Sequence, residues 1–454
     1  MKSIGKLMRV AVLGAVLGVP QLASAESLAD ALIAAYRQSN LLDQNRAVLR
    51  AADEDVAQAV ASLRPTLTLR AGASYTDYLN SDSADGLSAT LSLVAEMTLL
   101  DFGRNAATIA AQKETVLAAR QTLLNVEQEV LLNAVSAYVT LQQAQDTVAL
   151  REGNVRLINQ ELRAANDRFE VGEITRTDVA IADAQLASAQ AVLASAQGDL
   201  AIARENYKLA IGHYPKSLSR LPKAPSTAKS LAEAKTIALR GHPRIRQTQH
   251  EVAAAEFGIA LAKANMGPSL TGGATLTDNS ANTDNFGLSL TLNQTLYNGG
   301  RSSSLYRQAL ARRDSARSGL HQVGRVIEQG VGQAWSSIEV ARAGIAASDR
   351  QISSAQTAYN GVREEAKLGA RTTLDVLNAE QELLDARTAR LSAEANLYIG
   401  VYSLLSAMGL LTVDHLKLGI PTYDPEGYYN AVKNAPATSS QGKRLDRVLK
   451  AIGN

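Results

Sequence analysis

The chain has 454 residues, of which 46% are apolar, 4% aromatic and 20% charged. That apolar fraction excludes a mostly disordered chain, and the absence of cysteine excludes a disulfide scaffold, thiolate metal sites, thiol catalysis and a lipid attached at Cys. The formal charge of +2 is carried by the start of the chain: residues 1–25 hold three of the 46 basic residues and none of the 44 acidic ones, leaving 43 against 44 and no nucleic-acid footprint.

Residues 1–25 read as a secretory signal peptide. Lys2, Lys6 and Arg9 form a basic region, Val10 to Val19 an apolar one, and Ala23-Ser24-Ala25 fits a cleavage site. No strongly apolar run of 18 or more residues is expected after it. Residues 395–413 lack charge, but Asn396, Ser403, Ser406 and Thr412 interrupt them, which predicts buried helix.

Prolines then divide the chain. Residues 66–214 and 269–420 contain none, and proline breaks helix interiors and central strands. The two stretches align as copies at an offset of 197: Gly103-Arg104 with Gly300-Arg301, Gly172 with Gly369, Asp178-Val179 with Asp375-Val376, Gly212 with Gly409. Upstream the offset becomes 203, Pro65 matching Pro268. This is an internal duplication with a first repeat over 26–212, a connector over 213–242, a second repeat over 243–410 and a C-terminal segment with a polar tail over 411–454.

Each repeat opens with a two-residue period. Strands are predicted at about 66–78 and 87–98, then at about 268–277 and 286–295. Leu67 and Leu69, Leu91 and Leu93, Leu270 and Leu276, and Leu288 and Leu290 fall on the apolar face, opposite Thr, Ser, Gly and Asn. Ten-residue strands with apolar-out, polar-in alternation are the pattern of an outer-membrane barrel. Tyr75, Tyr78, Phe102 and Tyr297 lie near strand ends, where interfacial aromatics belong. A soluble hairpin packed on helices is the alternative. Four strands cannot close a barrel, and open sheet edges cannot exist in lipid, so a barrel reading requires several copies of the chain.

Long helices follow, at about 103–171 and 301–367, with return helices at about 177–211 and 373–409. Ala134, Leu141, Val148, Val155, Leu162 and Phe169 recur every seven residues, as do Val331, Ile338, Ile345, Ile352, Tyr359 and Ala366. Such a repeat predicts a left-handed supercoil. The return helices carry a small row, Ala182, Ala189, Ala196 and Ala203 in one and Ala379, Ala386, Ala393 and Gly400 in the other, which lets helices approach closely. Each repeat is therefore expected to be an antiparallel coiled-coil hairpin on a pair of strands: a mainly α chain with a transmembrane β contribution.

Four segments carry a resemblance. Leu100-Asp101-Phe102-Gly103-Arg104 and Leu296-Tyr297-Asn298-Gly299-Gly300-Arg301 resemble the strand-to-helix junctions of the TolC family of outer-membrane channel-tunnels; residues 169–179 and 368–379 resemble its two tip turns. The resemblance implies a homotrimer with a twelve-stranded barrel in outer-membrane lipid and a helical tunnel in the periplasm of a Gram-negative cell. It also implies a periplasmic adaptor (membrane fusion protein) and an inner-membrane ABC or RND transporter as partners. The expected function is the exit duct of a tripartite export machine, for type I protein secretion. Small-molecule efflux is the alternative, and a trimeric coiled-coil stalk a remote one.

Gly172, Glu173, Gly369 and Ala370 are then the tip turns that meet the adaptor, although a helix C-cap explains the glycines without it. By the same resemblance Asp375 matches a gate carboxylate, and Asn378 sits where the family has a second. Arg371 matches the gate arginine, with Thr177 and Asp178 as its acceptors on the neighbouring hairpin; the family's partner tyrosine is Ala366 here. Asp178 and Asp375 also suit plain helix capping. The five histidines show no metal spacing, and no phosphate loop, nucleophile elbow or catalytic carboxylate pair is present, so neither a cofactor nor an enzyme activity is expected.

Overall fold

In the computed structural model one path is traced twice. Residues 25–76, 86–215, 217–279, 284–435 and 447 are described; residues 1–24 of the expected signal peptide and Tyr78 lie outside them. The first pass runs α1 (Leu28–Gln38), α2 (Asn40–Ala61), β1 (Thr66–Thr76), β2 (Gly86–Leu100), α3 (Arg104–Glu170) and α4 (Arg176–Ile211). The second runs α5 (Leu231–Gly241), α6 (Pro243–Ala264), β3 (Ser269–Asn279), β4 (Asn285–Asn293), α7 (Arg301–Lys367) and α8 (Thr373–Ala407), followed by α9 (Pro425–Val432). The 203 offset carries α1 onto α5, α2 onto α6 and β1 onto β3 without a residue's error. The 197 offset carries α3 onto α7, each 67 residues long. At 1.5 Å per residue each spans about 100 Å.

The sheet order is β1-β2-β3-β4, all antiparallel, and its register assembles the two faces read from the sequence. Leu69 pairs with Leu93, Leu93 with Leu276, and Leu276 with Phe286, so one apolar row crosses all four strands. One residue over, Thr68 pairs with Val94, Val94 with Thr275, and Thr275 with Gly287. The apolar row lies open at both ends: Leu69 is 67% exposed and Phe286 65%. β2 reaches Leu100, two residues past its expected end, through a bulge between Thr98 and Leu100. That irregularity hides the last turn of alternation from a strict two-residue period.

The connections from sheet to long helix require left-handed backbone. Phe102, Gly103, Gly299 and Gly300 all have positive φ. Asp101 stabilises the first junction, its Oδ1 accepting from the Gly103 N–H at 3.0 Å and its Oδ2 from the Asn105 N–H at 2.7 Å. Asn298 does the same task in the second copy, accepting from the Ser302 N–H at 3.3 Å.

Two features depart from the sequence reading. First, α2 and α6 are 22-residue helices that run beside the long helices, ahead of the strands, where the two- and seven-residue periods predict no element. The end of α2 meets the start of α3 through Ser62 and Asn105, and α6 lies along α3 through the Asn125–Gln247 contact. Second, α4 is long and apolar enough, by length and composition, to cross a membrane, contrary to the expectation of no such run. Its alanine row accounts for this: alanine raises hydropathy while Ala182, Ala189, Ala196 and Ala203 pack against neighbouring helices.

The largest core lies midway along the helices, where α1, α2, α3 and the segment around Leu411 and Val413 bury Leu28, Leu42, Leu131, Tyr138 and Tyr207. The Tyr138 hydroxyl reaches the Ser219 carbonyl at 2.7 Å, tying the connector to α3. Buried Glu127 accepts from the Val413 N–H at 2.7 Å and fixes the C-terminal segment. Gly400 shows why the small row is small: a Cβ there would sit 3.2 Å from Ile338 Cγ1.

Candidate functional site

The two hairpin tips form the candidate site. Each long helix ends in the same cap. Gly172 is left-handed at φ 79°, its N–H donating to the Phe169 carbonyl at 3.0 Å and that of Glu173 to the Arg168 carbonyl at 2.9 Å. Gly369 is left-handed at φ 75°, with Gly369 donating to Ala366 at 3.1 Å and Ala370 to Glu365 at 2.9 Å. These are Schellman motifs, which close the orphan carbonyls of a helix end. The turns expose apolar side chains all the same: Val171 is 71% exposed and Leu368 86%.

Each return helix opens with a capping box. Asp178 Oδ2 accepts from the Thr175 hydroxyl at 2.7 Å and N–H at 3.0 Å; Asp375 Oδ2 accepts from the Thr372 hydroxyl at 2.8 Å and N–H at 2.9 Å. These bonds hold both carboxyls below the usual carboxylate range. Both acids are therefore charged at neutral pH, each with one oxygen committed to the cap. Thr177 and Asn378 are exposed, near the starts of α4 and α8.

Arg371 is bonded within its own hairpin. Its Nε donates to Glu365 Oε2 at 2.8 Å, on its own hairpin, and this bond and charge hold the guanidinium still more firmly protonated. Among the described residues no hydrogen bond links Arg371 to Thr177 or Asp178 within the protomer. The two tips nevertheless stand at the same end, because Leu377 of α8 is buried with Ile158 of α3 and Ala182 of α4.

Sequence reasoning missed a polar junction behind the tips. Asn154 of α3 donates Nδ2 to Glu380 of α8 at 2.7 Å, and both are buried. The available signal was the position of Glu380 between Leu377 and Leu384, in the apolar stripe of α8. Among the described residues no group of three or more His, Asp or Glu could hold a metal ion.

The family model described as outer membrane efflux protein matches residues 31–213 and 236–410. The chain belongs to that family. It is a family of channels, not enzymes, and it places the chain in the outer membrane of a Gram-negative bacterium, as the TolC-like junctions and tip turns implied. The outer membrane efflux protein BepC of Brucella suis biovar 1 (strain 1330) is 36% identical over 447 residues, covering 95% of this chain and 96% of the relative. The alkaline protease secretion protein AprF of Pseudomonas aeruginosa is 26% identical over 275 residues, covering 57% and 56%. Among solved structures, CusC superposes with a TM-score of 0.77 at 20% identity, covering 85% of this chain and 92% of that one. Members of the family are the outer-membrane components of tripartite systems with adaptor and pump partners.

Proposed function

We propose that the chain is the exit duct of a tripartite export machine and works as a homotrimer. Three four-stranded sheets close a twelve-stranded barrel in outer-membrane lipid, and the helical hairpins enclose a periplasmic tunnel gated at its tip. The observation that carries this reading is the uncovered apolar row Leu69–Leu93–Leu276–Phe286 on a sheet whose edges, β1 and β4, are both open. Such a sheet satisfies its edge groups in lipid only by pairing β1 with β4 of another copy. Gly172, Glu173, Gly369 and Ala370, with the exposed Val171 and Leu368 beside them, form the surface offered to a periplasmic adaptor. Asp178, Asp375 and Arg371 become three-fold rings at the constriction, and Arg371 exchanges Glu365 for Thr177 and Asp178 of a neighbouring hairpin as the gate sets. Energy enters from an inner-membrane ABC or RND transporter, since the chain carries no phosphate-binding loop of its own.

The cargo in this reading is secreted protein. AprF, a secretion protein by name, and the lack of a cysteine for lipid attachment support it. The higher identity to BepC, named for efflux, favours small molecules as the second reading. Comparing the culture-supernatant proteome of a deletion strain with its parent separates them. Loss of one or a few large proteins supports type I secretion. An unchanged supernatant with new sensitivity to drugs and detergents assigns the duct to efflux.

A further inference from the structure

Behind the tip, α3, α7 and α8 enclose a polar junction that joins the first hairpin to the second. Asn154 and Glu380, 226 residues apart in sequence, meet at 2.7 Å and are 8% and 5% exposed. The second carboxyl oxygen of Glu380 has no hydrogen-bond partner, and neither does the buried Tyr359 hydroxyl. The titratable and charged groups facing Glu380 are Glu161 from α3 and Tyr359 and Arg363 from α7. Arg363 is already turned to Glu161, its Nε 3.5 Å from Oε1, and among the described residues no cation pairs with Glu380. From α4 the adjoining apolar cluster receives Ala182, Leu186 and Ala189. Glu380 lies five residues beyond Asp375, about 8 Å along α8 from the tip.

A buried carboxylate with a single hydrogen bond and no cation is costly, whereas the neutral acid is not, and it brings a hydroxyl donor of its own. We propose that Glu380 is a gating residue of the duct: as a neutral acid it seals the seam between the hairpins, and its ionisation drives α8 from α3 and opens the tip. This rests on the reading of the chain as a gated duct.

The direction follows from the burial, which pushes the Glu380 pKa up to about 7 from an ordinary 4.5. In an opened tip the carboxyl meets water and returns towards the ordinary value. Below that value both states hold the proton, and closure is unopposed. Between it and about 7 the open state releases its proton first, so closure weakens as pH rises. Above about 7 both states are ionised and the bias is constant. Asp178 and Asp375 are displaced the opposite way and keep their charge across this window. Asp53, raised to about 6 by burial in α2, titrates within it, so the informative quantity is the difference between the protein and its Glu380 variant.

The test is single-channel recording of purified full-length protein in planar bilayers from pH 5 to pH 8. Open-state population should rise with pH, roughly tenfold for each unit by which the closed and open pKa values differ. Glu380→Gln should rise clearly less with pH than the parent, keeping only what Asp53 contributes. A rise as large in Glu380→Gln as in the parent overturns the proposal, and so does a parent that conducts with no pH dependence at all. Should Glu380→Gln not assemble, Asn154→Leu decides: without its donor the rise should extend to higher pH, and an unmoved rise overturns the proposal. A parent that forms no pore sinks the duct reading itself, and the proposal with it.

Discussion

Asp178 and Asp375 occupy the same place in the two tips, 197 residues apart, each with Oδ2 bonded to the hydroxyl and N–H of the threonine three residues before it. The duplication thus preserved a helix start down to one oxygen atom. Local capping accounts for both acids completely, and any gating role is laid over that structural one.

Removing the caps should loosen the tips and little else. Thr175→Ala or Thr372→Ala is expected to cost about 1 kcal/mol of local stability, about a fivefold gain in amide exchange over the first turn of the return helix. Both carboxyls lie below their ordinary value, so the support they give is fully present above pH ~3.9 and is lost as pH falls through the folded pKa. Hydrogen exchange confined to the tips measures both effects. Uniform acceleration along α4 or α8 would contradict the assignment.

Gly369 is needed for its backbone and not for space. A Cβ there meets nothing within 4 Å, but φ is 75°. Gly369→Ala should therefore cost roughly 1–2 kcal/mol through conformation alone, and Gly369→Asn less, because Asn tolerates this region. Protease sensitivity of the tip ranks the three proteins; equal sensitivity of Ala and Asn variants would argue against a conformational cause.

Arg371 is bonded to Glu365 within its hairpin, and the latch to Thr177 and Asp178 would form across hairpins. Arg371→Ala should raise the conductance of the resting pore. Unchanged conductance in planar bilayers would remove Arg371 from the gate.

The two faces of β4 should respond differently to charge. Leu290→Arg, on the apolar row, is expected to cost about 2–4 kcal/mol if it sits near the bilayer midplane. Ser289→Arg, on the polar face, should assemble. The yield of heat-resistant trimer on gels reports the difference. Equal yields would mean that the apolar face does not meet lipid.

The strands and long helices were legible because their periods, two and seven, persist over many residues and recur in a second copy. α2 and α6 were not, because short helices with mixed faces carry little periodic signal; their matching 22-residue lengths speak only through the 203 offset. The tip acids were found from their place after a turn. Glu380 was passed over because a lone acid within an apolar stripe reads as noise until Asn154 is seen opposite it. The Arg371 latch invokes a neighbouring hairpin, whereas the strongest acceptor near it, Glu365, is one helix turn and a cap away.

The most direct test of the duct is reconstitution of the purified chain from residue 26 onward into planar bilayers, with its copy number fixed by cross-linking. The account predicts discrete conducting units, each built from three chains, with a low resting conductance set at the tip. A chain that stays monomeric in detergent and never conducts, while keeping its helices, would contradict it.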